Sequence, residues 1–135
     1  MENLNINHLA VFAAAISTFL LGGLWYSPIL LGKTWQTESH LSDEQVKNSN
    51  KGKIFGLAFL FSLVMSYNLA FFLGDPSFDL WMGALYGFLT GFGWVAMGIF
   101  IVGMFEMRSW RYLWINGGYF IVAFTIMGAI LGVWK

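Results

Sequence analysis

The sequence contains no cysteine, two prolines and two histidines, His8 and His40, in different segments. The missing thiols exclude disulfides, thiolate catalysis and cysteine metal sites. Two distant histidines do not make a histidine metal centre within one chain. Charge is also scarce. Seven basic and seven acidic residues cancel, so no general attraction to nucleic acid or other polyanions is expected. Charged residues make up 10% of the chain and hydrophobic residues 58%, against about a quarter and about half in a soluble domain. A soluble fold of 135 residues could not bury so much apolar surface. The bilayer is the expected solvent.

Crossing a bilayer core of about 30 Å takes about 20 mainly apolar residues in a helix. Four runs qualify: 9–31, 54–73, 80–105 and 112–134, none holding Asp, Glu, Lys or Arg. In hydrocarbon the backbone must satisfy its own hydrogen bonds, and the alternation of a β-barrel strand is absent, so the runs predict helices. The expected architecture is all-α: a single four-span domain over residues 1–135, an antiparallel bundle of sequential transmembrane helices. Connections 74–79 and 106–111 are short, and only the loop 32–53 is long enough to hold structure of its own.

Charge predicts orientation. Lys33, Lys47, Lys51 and Lys53 lie in the first loop, and Arg108 and Arg111 in the third. Lys135 is the one basic residue on the other side, with Glu2, Asp75 and Asp79. The positive-inside rule then puts the first and third loops in the cytoplasm and both termini outside. The leader MENLNINH has no basic residue, so the first run reads as a retained helix and not a cleaved signal. Trp25, Tyr26, Trp35, Trp110, Tyr112 and Trp114 fall near the basic face, and Phe78, Trp81 and Trp134 near the other, as interfacial aromatics do. Within the first loop, Ser42 followed by Gln45 predicts a capped short helix with Asp43 and Glu44 at its positive end, stopped by Asn48–Asn50.

Lipid tails are as apolar as leucine, so the spans must associate through close packing of small residues. Such residues recur every four positions: Ala10, Ala14, Thr18 and Gly22; Ala58, Ser62, Ser66, Ala70 and Gly74; Gly83, Gly87 and Gly91; Gly128 and Gly132. These rows pack spans within one chain, or the span-three row, with its two overlapping GxxxG patterns, joins subunits. A homo-oligomer, with a dimer favoured, is the expectation, and a membrane-protein partner is the other kind of assembly.

No ionisable residue lies inside a span, which argues against a proton relay or mid-membrane acid–base chemistry. Neutral polar residues remain. Asn68 points about 200° away from the Ser62–Ser66 row and should meet a neighbouring helix, a second subunit or water. Tyr67, Thr90, Tyr119 and Thr125 could join it. Thr90-Gly91-Phe92-Gly93 superficially resembles a potassium filter, but it lies within a continuous apolar run. Asn116-Gly117-Gly118-Tyr119 opens the last span as a polar pocket or a close helix contact. Gly22 to Pro28, GGLWYSP, reads as a helix end: close approach at Gly22 and Gly23, anchors at Trp25 and Tyr26, a kink or stop at Pro28. Tyr26 and Ser27 could alternatively line a polar pocket there. Arg108 and Arg111 with the loop lysines fix topology or touch anionic lipid.

The stretches INHLAVFAAAISTFLLGGLWYSPILLGKTW and INGGYFIVAFTIMGAILGVW resemble the small bacterial membrane family known as domain of unknown function 1761. The specific matches are Gly22 and Gly23, Trp25 to Pro28, Gly32-Lys33, Trp35, Gly118-Tyr119 and Gly128 to Trp134. The middle spans match in character. A histidine often follows the last-span tyrosine in that family. Here the position is Phe120, so no role of that histidine carries over. The resemblance implies a multi-pass protein of the bacterial inner membrane and brings no catalytic residues.

Three functions are compatible with these features. The leading one is a non-enzymatic membrane protein acting through an assembly, without catalytic residues, metal or cofactor. The second is a passive channel or small-solute carrier using Asn68, Ser62, Ser66 and Thr90. The third is a lipid-modifying enzyme at the basic face using His40, Glu38 or Glu106, which no nucleophile or metal motif supports.

Overall fold

A computed structural model describes residues 6–135. Its helices are α1 (His8–Trp25), α2 (Gly32–Glu38), α3 (Asp43–Lys47), α4 (Lys51–Leu73), α5 (Leu80–Thr90), α6 (Met97–Phe105) and α7 (Trp110–Val133). A π-helical turn, Gly91–Ala96, joins α5 to α6 without a break. Four helical stretches are long and apolar enough to cross a membrane: α1, α4, the α5–α6 run and α7. The fold is an all-α bundle. Glu2, counted above with the outer side, lies outside the described residues.

Side-chain caps start most of these helices. Asn7, Ser42, Asn50, Asp79 and Ser109 each accept a first-turn N–H that would otherwise lack a partner. Ser42 and Gln45 form the reciprocal capping box, and α3 ends at Asn48. The first span stops six residues before Leu31, at Trp25. Pro28 lies in the turn that follows, where the chain folds so tightly that a Cβ on Gly32 would meet the carbonyl oxygen of Tyr26 and the Ser27 backbone. Hydropathy did not see this turn because Ile29, Leu30 and Leu31 continue the apolar run.

Consecutive spans run antiparallel, but packing does not follow chain order. α4 lies on α1, α1 on α7, and α7 on the α5–α6 run, so the last span is central. Ala10, Val11 and Ala14 of α1, Leu69, Ala70 and Leu73 of α4, and Phe124, Met127 and Leu131 of α7 make the core. The fully buried Ser66 hydroxyl donates to the Val11 carbonyl at 2.8 Å, a hydrogen bond between spans.

The glycine rows of spans three and four face each other. A Cβ on Gly83 would fall on the Gly128 carbonyl, one on Gly87 on the Phe124 carbonyl, and one on Gly132 on the Asp79 carbonyl. Each four-residue step forward on α5 is a four-residue step back on α7. The span-three row is therefore occupied inside the chain. This corrects the expectation that it could join subunits: backbone already fills the groove that a second chain would need.

Contacts tie both ends of the bundle. At the basic end Ser109 Oγ, the N-cap of α7, donates to the Glu38 carboxylate of α2. At the opposite end Lys135 Nζ donates to the carbonyls of Leu73 and Asp75, at 2.6 and 2.9 Å. The backbone N–H and hydroxyl of Ser77 hold the Asp75 carboxyl below its ordinary range, with Lys135 adding to the effect.

Candidate functional site

The GGLWYSP stretch and the start of α7 meet at the basic end. Trp25 Nε1 donates to the Ile115 carbonyl at 2.9 Å, and the Tyr26 hydroxyl to Asn116 Oδ1 at 2.6 Å. One turn deeper, the Tyr119 hydroxyl donates to the Thr18 carbonyl at 2.9 Å. The rings stack edgewise: Tyr26 lies 5.4 Å from Trp35 and 5.5 Å from Tyr119 between centroids. Gly22 lies directly under the Tyr119 hydroxyl and Gly118 against the Trp25 indole, so a larger side chain at either site would displace its ring neighbour.

Of the expected polar residues, Tyr26, Asn116 and Tyr119 come together here, with Trp25 and Trp35. Ser27 does not join them. Its hydroxyl donates to the Leu24 carbonyl and closes the end of α1. Asn68 lies far along α4 with its side chain exposed, its Nδ2 donating to the Val64 carbonyl at 2.8 Å. Among the described residues its one side-chain hydrogen bond stays within α4, so of the three environments expected for it, a neighbouring helix of the same chain is not the one found. Ser62, Thr90 and Thr125 likewise return their hydroxyls to carbonyls of their own helices. These residues do not gather around one path within a chain. Thr90 to Gly93 is helical, which removes the filter resemblance. A Cβ on Gly23 would meet nothing within 4 Å among the described residues, so no close approach within the chain requires glycine there.

The ionisable trio of the third reading has local structural partners. Glu38 accepts from Ser109, and Glu106 lies 3.7 Å from Arg108. His40 has φ 58° and ends α2 in the left-handed conformation, where Leu41 N–H reaches back to the Gln36 carbonyl.

Beside the aromatic cluster a groove of about 650 Å³ opens between α6 and α7, closed at the basic end by Trp35 of α2. One wall is Trp94 and Val95 of the π turn, Gly98, Ile99, Val102 and Gly103 of α6, and Glu106 just past its end; the α7 wall is Phe120, Asn116 and Tyr112. The π turn creates it. From Gly83 to Gly87 to Gly91 the contact face with α7 advances by four. It next uses Ala96, five residues on, and then Phe100, both against Gly117, and Gly103 against Leu113. One extra residue in the turn is what a π-helix inserts. It turns Ile99 and Val102 off the helix contact and into the groove wall, where Val95, still packed against the core, joins them. Nothing in the apolar sequence marks the insertion; the sole hint is glycine within it, at Gly91 and Gly93, and just after it, at Gly98.

No curated protein and no solved structure matches the chain. A family model described as "Protein of unknown function (DUF1761)" matches residues 9–132.

Proposed function

Since the chain belongs to DUF1761, whose description names no activity, we propose a role from its own surface. It is a non-enzymatic protein of the bacterial inner membrane that acts by side-by-side assembly with a second copy of itself. The observation that supports this reading is Asn68. It lies on an outward stripe of α4 with Phe61, Val64, Phe71 and Phe72, all exposed. Its bond to Val64 uses one N–H. The second N–H and a carbonyl oxygen then face hydrocarbon, where an unmet polar group is costly. Two copies inserted the same way and related by a two-fold axis along the membrane normal would place two such amides at one depth. Each could then donate to the other.

Interhelical hydrogen bonds in membranes contribute about 0.6 kcal/mol on average and about 1.7 at most. Two such bonds are lost per dimer, so Asn68→Leu is expected to weaken it by about 8-fold, and by about 300-fold at most, measured by energy transfer between labelled copies in liposomes at increasing dilution. An unchanged dissociation constant would remove Asn68 from the interface. A monomer at every protein-to-lipid ratio would overturn the assembly itself.

The orientation belongs to the same reading: basic end in the cytoplasm, both termini outside. The absence of cysteine makes it directly testable. Asn48→Cys in the first loop should resist a membrane-impermeant maleimide on intact cells, while Ser77→Cys in the second connection should react. The reverse pattern would invert the topology.

A further inference from the structure

We propose that the groove between α6 and α7 binds a single glycerophospholipid of the leaflet at the basic end, one whose head carries both a phosphate and an ammonium. This site is separate from the Asn68 face and does not depend on assembly.

The groove has the dimensions of one leaflet. Val95 to Glu106 rises about 16 Å along the helix, roughly half of a bilayer core of about 30 Å. Its polarity is graded along that length. The deep part is Val95, Ile99 and Phe120, and the shallow part is Asn116, Tyr112 and Glu106. A phospholipid has the same gradient in the same direction, from acyl chain to ester to charged head. A small polar solute would find only the Trp94 indole N–H in the deep half, and a wholly apolar molecule would leave the shallow half unmatched. A volume of about 650 Å³ lies within the range of small-molecule sites, about 300–1,000 Å³.

Polar groups at the shallow end are left unmet by the protein. Asn116 Oδ1 is engaged by Tyr26, which leaves the amide N–H donors for the ester level. Arg108 Nε is buried and has no hydrogen-bond partner among the described residues. Its nearest acid, Glu106, lies at 3.7 Å, beyond hydrogen-bond distance. The Arg108 guanidinium lies 4.8 Å from the centre of the Tyr112 ring, which lines the groove. Nε itself is closed off, so a phosphate oxygen at the mouth would pair with the outer part of the Arg108 guanidinium, whose side chain is 30% exposed. An ammonium on the same head would meet the Glu106 carboxylate. The acid and base side by side thus match a zwitterionic head, whereas a purely anionic head would face Glu106 unfavourably.

The test is native mass spectrometry of the purified protein in mild detergent. It is titrated with phosphatidylethanolamine or phosphatidylglycerol of identical chains. The wild type is expected to retain one phosphatidylethanolamine and to prefer it to phosphatidylglycerol by about tenfold. Ile99→Trp and, independently, Val102→Trp fill the groove from successive turns and should lower retention at least tenfold. An unchanged melting temperature in either variant shows that the fold is intact. Glu106→Gln should leave total retention high and bring the two lipids within about twofold. Equal binding of both lipids by the wild type overturns the head assignment. Retention that survives both groove-filling variants overturns the site.

Discussion

Gly128→Leu is expected to remove most of the folded protein, with a loss of about 3 kcal/mol or more where any remains. The reason is geometric. A Cβ at position 128 would fall on the Gly83 carbonyl oxygen and lie 3.0 Å from both the Gly83 carbonyl carbon and the Gly87 Cα. All three are backbone atoms of a helix, so no rotamer change relieves the clash and the spans must separate. Overpacking against movable side chains costs about 1–3 kcal/mol; against backbone the cost lies at or above the top of that range. Separation also forfeits the neighbouring contacts at Gly87 and Gly132, because one rigid helix carries all of them. At the scale of a domain this size the midpoint of thermal unfolding should fall by on the order of 10 °C, followed by intrinsic fluorescence in detergent. Gly56→Ala is the control. Nothing lies within 4 Å of a Cβ there, and the better helix propensity of alanine should leave stability unchanged or slightly raised. A Gly128→Leu protein that melts like the wild type would mean that α5 and α7 do not meet within the chain. The span-three row would then be available to a second subunit after all.

The four spans were legible in the sequence because hydropathy averages over 20 residues and tolerates local detail. The capped helix α3 was legible because a capping box is a short-range bond between Ser42 and Gln45 that needs no tertiary partner. What depends on long-range pairing was hidden. All four spans carry small residues at four-residue spacing, so the rows announce close packing without naming partners. Backbone-to-backbone fit at Gly83, Gly87, Gly128 and Gly132 chooses α5 with α7, and Ser66 reaching Val11 chooses α4 with α1. The order of packing follows from those choices and not from the short connection at 74–79. The groove was hidden for a similar reason. Its walls are ordinary apolar residues, and the π turn that exposes them is recognisable only when the contact faces before and after Gly91 are compared across α7. Three of the five residues singled out for a polar site, Tyr26, Asn116 and Tyr119, do come together at its edge. Their crowding near interfacial tryptophans was the signal. Asn68 was read in the right direction, away from the Ser62–Ser66 row, but periodicity says which way a side chain points and not what waits there.

Removing the Tyr119 side chain should be the most damaging change at the basic end. Tyr119→Ala deletes a ring that touches Trp25, Tyr26 and Phe120, with centroids 6.4, 5.5 and 4.7 Å away. It also deletes the hydrogen bond to Thr18. Truncating a packed aromatic costs about 3–5 kcal/mol. Tyr119→Phe keeps the ring and loses one hydrogen bond, about 1 kcal/mol. The two variants therefore separate packing from polarity at one position. Gly22 makes the argument sharper. A Cβ there would lie 2.9 Å from the Tyr119 hydroxyl oxygen and 3.3 Å from the ring carbon that carries it. Gly22→Ala should push the hydroxyl off the Thr18 carbonyl and so destabilise the chain by the same route as Tyr119→Phe. Once the hydroxyl is gone, the alanine has less to strike and no hydrogen bond left to break. The double variant should then cost less than the sum of the singles, with a coupling within the range of about 0.5–3 kcal/mol found for residues in contact. Unfolding midpoints of the wild type, both single variants and the double variant measure it. Additive costs would mean that the hydroxyl moves aside freely, and that α1 and α7 are held at this end by Trp25 and Tyr26 alone.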